Sequence, residues 1–278
     1  MRAFIYLLTL FSLLVPVVGR AAEVDQFTDR FEFLEDSAER LNTKAATFLD
    51  SALIEANNSA AESGSDCHEK DLYKHLRKYF LNHKSGQLTP YVLKSETYPK
   101  RKFMKADTIY SEWTVWDGYL LGRKKANSSP VALAPLIRVG EVVVGSDKIE
   151  HLFGRGFAYF KRKYLRGKKM KKVFKYGIRG EKTIFGGNKL ATGVFSYADL
   201  ATNFNGMRFW NHMLALRSDI MGQQLGPYVK CQAGKWRKVK DIDFRDYFDD
   251  AADEGINCSK FASKNSAKKV RKALERLN

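Results

Sequence analysis

Apolar residues recur at helical spacing in segment after segment of this chain, and the extended candidates between them are short. Leu72, Leu76, Tyr79 and Phe80 share one helix face. A second helix is predicted from Asp147 to about Leu165, with Asp147 as N-cap and Glu150 reaching back to it. Gly154 and Gly156 inside it each cost about 1 kcal/mol relative to alanine, so another element is expected to approach closely there. A third helix opens at Ser196, with Asp199 in its first turn. It carries Leu200, Phe204, Phe209, Met213 and Leu214 toward a stop at Gly226-Pro227. Extended candidates are Val142-Val143-Val144 and two short strands, 228–231 and 235–240, around Ala233-Gly234. The predicted class is α+β, mainly helical.

The start of the chain sets its compartment. Arg2 precedes an apolar run from Phe4 to Val18, and Gly19-Arg20-Ala21 supplies small residues before a cut. This is the layout of a signal peptide over residues 1–21, too short for a span of about 20 apolar residues. The expectation is an exported, periplasmic or secreted monomer with no membrane span after cleavage. A helical arm and linker (22–65), a main domain (66–258) and a basic tail (259–278) follow. The arm is predicted from the Gly- and Pro-free stretch 23–57, where Phe27, Phe31, Phe33, Leu34, Leu41, Phe48 and Leu49 fall at roughly helical spacing. Export permits disulfides, and Cys231 with Cys258 is the favoured pair, leaving Cys67 free. Cys67 beside His68 is a poor nucleophile and base, because adjacent residues seldom point at one centre.

No P-loop, dinucleotide fingerprint, GxSxG, HExxH or CxxC pair is present, so the common cofactor enzymes lose support and no cofactor is expected. Asp147 and His151 lie four apart on one helix face, with Glu150 beside them. They suit either two metal ligands or a carboxylate orienting a histidine. No third ligand stands at typical spacing, so Asp147, Glu150 and His151 are assigned a structural or orienting role and no metal.

The segment from Tyr176 to Leu200 places Glu181 at the end of a helix. A glycine-rich turn (Gly186-Gly187, Gly193) follows, then Val194-Phe195-Ser196-Tyr197 opening the next helix. This resembles the lysozyme-like superfamily, in particular its goose-type and lytic-transglycosylase branches. More specifically, Thr192–Leu200 and Asn203–Trp210 look like an exported family of Gram-negative bacteria linked to the deacetylation-specific lysozymes of predatory bacteria. The likeness spans 146–212, about a quarter of the chain. Gly193-Val194-Phe195-Ser196 stands where transglycosylases carry Gly-Leu-Met-Gln, and Glu181-Lys182 where they carry Glu-Ser. The resemblance implies a lysozyme-like core and Glu181 as the general acid. It also implies a cleft lined by Thr192, Ser196, Tyr197 and Asp199. Asn203 and Asn205 join these as substrate-binding candidates, because asparagine is an odd choice inside a helix.

A general acid needs its pKa raised toward neutrality, which burial against Phe185, Phe195 and Tyr197 would supply; Arg179 and Lys182 next door oppose it. Basic residues number 48 against 31 acidic, a net charge of +17. Nine of the basic residues fall between Lys161 and Lys175. The expected partner is peptidoglycan or another anionic envelope polymer, and not nucleic acid. Two functions follow: a wall glycosidase acting through Glu181, on de-N-acetylated wall if the closer resemblance holds, or a non-catalytic basic envelope-binding protein.

Overall fold

A computed structural model describes residues 23–123, 126, 132–182 and 191–277. The fold is α+β and mainly helical. Helix α1 spans Ala38–Glu62, α2 Glu69–Tyr79 and α3 Leu88–Lys94. Strand β1 (Glu23–Val24) pairs in parallel with β2 (Leu133–Ala134), and β3 (Leu136–Val139) forms a hairpin with β4 (Val142–Gly145). Gly140, at φ +63°, makes the turn of that hairpin, a conformation open to glycine at no steric cost.

Helix α4 runs continuously over 147–165. Two stretches of it, His151–Arg155 and Lys161–Leu165, are wound as π-helix. Helix α5 is Met170–Lys182, β5 is Val194–Phe195 and α6 is Tyr197–Leu214. The hairpin β6 (Val229–Gln232) and β7 (Lys235–Lys238) follows. Strand β8 (Lys260–Phe261) pairs antiparallel with β5, and α7 is Lys264–Leu277.

The core forms where α4 crosses α6. Phe153, Phe160, Phe209, Trp210 and Met213 pack there with Phe80 and Phe244. Gly156 and Gly206 are the crossing point. A Cβ on Gly156 would lie 2.6 Å from Gly206, and one on Gly206 would lie 2.0 Å from the Leu152 carbonyl oxygen. The close approach expected at α4 is thus made at Gly156, while Gly154 meets nothing nearer than Asn82 at 3.7 Å.

Several expectations are corrected. The stretch 23–37 is not helical: Asp25 accepts from the backbone N–H of Phe27 and Thr28, Asp36 accepts from that of Ala38, and Phe31 and Phe33 are exposed. Aspartates bonding to their own backbone hold turns against the helix. The helix begins at Ala38 instead and packs on the main body as expected, with Leu41, Ala45, Leu49 and Leu53 buried in the core.

The basic tail is also structured. Val270 and Ala273, with Leu274 beside them, form a stripe that packs on Ile109, Tyr110, Trp113 and Val194. Lysines on the other face mask that stripe in the composition. Helix α6 stops at Leu214, well before Gly226-Pro227, because Ala215 takes the left-handed conformation at φ 50°.

The predicted disulfide is wrong. Cys67 bonds Cys231, with Cα atoms 5.9 Å apart, and Cys258 is exposed and unpaired. The β6–β7 hairpin lies on α1, where Asn57 accepts from the Trp236 N–H and donates to its carbonyl. That docking brings Cys231 to the segment joining α1 to α2. Proximity in sequence to Cys258 was a poor guide to proximity in space.

Candidate functional site: a buried lysine among carboxylates

Strand β4 feeds directly into α4, and the first turn of α4 faces the first turn of α6. This places Lys148 in the interior, fully buried. Its ammonium reaches Asp147 Oδ2 at 2.7 Å, Asp199 Oδ1 at 2.8 Å and Glu254 Oε1 at 2.7 Å. One turn along α4, His151 Nε2 lies 3.1 Å from Asp199 Oδ2, and its Nδ1 lies 3.0 Å from Asn203 Oδ1. Ser196 caps α6 by accepting from the Asp199 N–H, and its hydroxyl donates to Glu254 Oε1 at 2.8 Å. Glu254 is held in turn by Ser259 and by Gln26, whose Oε1 accepts from the Glu254 N–H. Beyond them Glu23, buried on β1, accepts from the Thr192 hydroxyl at 2.6 Å.

Burial and charge sort these groups into two classes. Burial works against the Lys148 ammonium, but three carboxylates outweigh it and hold the lysine well above its ordinary pKa. Burial likewise works against ionised Asp199, yet His151 and Lys148 keep its carboxyl below the usual value. For Asp147 burial wins over Lys148, and its carboxyl is pushed up to about 6. Glu23 is pushed well up, first by burial and then by the charges of Glu254 and Asp199.

Glu181 belongs to the second class. It sits in the last turn of α5, only 2% exposed, and its Oε2 has no hydrogen-bond partner among the described residues. Burial raises its pKa well above the carboxylate range. The charge of Asp199 adds to that, against Arg155 and Lys148. Neither Arg179 nor Lys182, its neighbours in sequence, is among the main influences on it. Tyr159 contributes to the same wall. Its hydroxyl lies over Gly177, where a Cβ would come within 1.6 Å of it. A side chain at 177 would therefore push Tyr159 or the end of α5 out of place.

Of the residues singled out in the sequence, Asp147, His151, Ser196, Asp199 and Asn203 converge on one cluster. Thr192 joins it through Glu23. Tyr197 is half-buried, its ring edge-on to Phe195 at 5.3 Å. Phe185, Gly186 and Gly187 lie outside the described residues. Two candidates are placed elsewhere. Glu150 pairs with His83, and Asn205 donates to Asp249 while accepting from Arg208, so both hold structure together.

Lys148, Glu254 and Glu23 were missed. Nothing in sequence marks a lysine as buried, because lysine is almost never buried unless paired. Its position between Asp147 and Ile149 was the only available hint. Asp199 also stands where a third ligand would, which spacing did not show. Ligand atoms of Asp147, His151 and Asp199 lie within 4.8 Å of one another. The Lys148 ammonium already bridges the two carboxylates of that set, supplying positive charge where a cation would. No family model, curated protein or solved structure matches the chain.

Proposed function

We propose that the chain is a lysozyme-like glycosidase of the cell envelope, exported by its leader, that cleaves peptidoglycan glycan chains with Glu181 as general acid. The observation that carries this reading is the contrast between two carboxyl groups. Burial at a helix end pushes the pKa of Glu181 well up, while His151 and Lys148 pull that of Asp199 down against its own burial. Environments that push two carboxyls apart are what acid catalysis at neutral pH requires. The reading also rests on the resemblance, which makes Glu181, in the last turn of α5, the general acid and sets Ser196 at the opening of α6.

In the reaction, Glu181 gives its proton to the glycosidic oxygen as the bond to the anomeric carbon breaks. Water, or a hydroxyl of the same sugar, then adds to the anomeric carbon and loses a proton to Glu181 carboxylate. The test is digestion of purified peptidoglycan, native and de-N-acetylated, read by mass spectrometry. Muropeptides released by the wild type and absent with Glu181→Gln support the reading. Digestion by Glu181→Gln at the wild-type rate refutes it.

A non-catalytic envelope-binding protein is the second reading. It is favoured by the nine basic residues of 161–175, all exposed or half-exposed around the junction of α4 and α5. It predicts no release from either substrate and salt-sensitive retention on intact walls.

A further inference from the structure

The corner where α2 meets the end of α4 combines two features that have no role in the buried cluster. The first is a groove of about 450 Å³ between these helices, floored by Tyr73, Phe157 and Leu165. Lys70, Lys74, Arg77 and Lys161 rim it, all exposed, and the Arg77 guanidinium lies 4.6 Å over the Phe157 ring. The acids nearby are already engaged: Glu69 with Arg217 at 2.5 Å, and Asp71 with His68 at 3.4 Å. Lys70, Lys74 and Lys161 form no ion pair among the described residues, so the rim presents net positive charge.

The second feature is the loop after α6, residues 215–224. Two contacts tie it to the same corner: the Arg217–Glu69 pair, and the Ile220 N–H donating to Tyr164 Oη at 3.2 Å. Asp219 anchors it from within, accepting from Arg208 and from the backbone N–H of Met221 and Gln223. The anchored polar side turns inward, and the apolar side chains stay out. Leu216 is 62% exposed, Met221 60% and Ile220 37%. A loop built to bury its apolar groups would show the reverse arrangement.

We infer that this corner docks onto an anionic phospholipid surface, with the groove rim on headgroup phosphates and Leu216, Ile220 and Met221 in the headgroup–acyl boundary. Cations alone would suit any polyanion. Large apolar side chains held out among cations suit a surface that is both charged and apolar. No helix of the described residues is long and apolar enough to cross a membrane.

The test is co-sedimentation of the chain beginning at residue 22, so that the leader cannot partition, with phosphatidylcholine vesicles. One set carries roughly one-third phosphatidylglycerol and one set carries none. The anionic vesicles should capture the protein, and capture should fall as salt rises. Leu216→Ser with Met221→Ser should weaken it by at least about tenfold, since each side chain loses apolar burial. Gln at Lys70, Lys74 and Lys161 should cost about fivefold per lysine. Ile54→Ser, at an equally exposed apolar site on α1, should change nothing. All these side chains are exposed, and melting temperatures at the wild-type value confirm the variants are folded. Vesicle binding by the Leu216/Met221 variant at the wild-type level overturns the inference. So does retention on isolated walls with no capture by anionic vesicles.

Discussion

Replacing Lys148 with Met tests the buried cluster directly. The substitution keeps an unbranched chain of similar length and removes only the ammonium. Three carboxylates, of Asp147, Asp199 and Glu254, now within 2.8 Å of it, would lose their common counter-charge. Removing one partner of a buried ion pair costs about 3–5 kcal/mol, and three partners place this change at the upper end. A domain of this size shifts by roughly 2–4 °C per kcal/mol, so Tm at pH 7 should fall by roughly 10–20 °C.

The pH dependence separates charge from packing. Asp199 is held below its ordinary pKa, so its contribution is present above that value and is lost as pH falls through the folded one. The variant keeps the part of this contribution that His151 supplies and lacks the part that Lys148 supplies. In acid its carboxylates gain protons and the uncompensated charge disappears. The gap between wild type and Lys148→Met should therefore close on acidification. Adding Asp147→Asn and Asp199→Asn to the variant should recover part of the loss at pH 7. Thermal melts followed by circular dichroism across the acid-to-neutral range measure both effects. A fall of less than about 2 °C at pH 7, or a gap that persists unchanged well below the carboxylate range, refutes the electrostatic account.

Glu181→Gln should raise Tm at neutral pH while wall digestion is lost. The raised pKa of Glu181 costs nothing below the unfolded value and costs stability as pH climbs toward the folded one, so the gain should vanish in acid. Gly206→Ala puts a methyl 2.0 Å from the Leu152 carbonyl oxygen and should destabilise by about 3 kcal/mol or more, read by urea unfolding. The Cys67–Cys231 bond closes a separation of 164 residues, so Cys67→Ser with Cys231→Ser should cost up to about 5 kcal/mol. Cys258→Ser should be neutral, and Cys258 should be the only thiol alkylated in the native oxidised protein.

Much of the scaffold was legible from periodicity. The helices carrying Leu72 to Phe80, Asp147 to Leu165, and Leu200 to Leu214 all form, because each buries an apolar face that recurs every three or four residues. The close approach at Gly156 was legible as well, since glycine in a helix interior is costly without a neighbour that needs the space. Misreadings cluster where side chains bond to nearby backbone. Asp25 and Asp36 unwind the predicted arm. Asp117 likewise accepts from the Thr114 N–H and turns the stretch 111–121, where Trp113, Trp116 and Leu120 fall at helical spacing.

The site divides along the same line. The sequence by itself determined that Asp147 and His151 share a helix face, that Ser196 caps α6 with Asp199 in the first turn, and that Glu181 ends α5. These are local consequences of helix geometry. Only the tertiary structure decided that those helix starts face each other. It also decided that Lys148 is the cation between them, that Glu23 and Glu254 arrive from opposite ends of the chain, and that Cys67 finds Cys231. The physical reason is that ionisation and pairing depend on burial and on neighbours distant in sequence. A lysine or a glutamate carries no local mark of being inside.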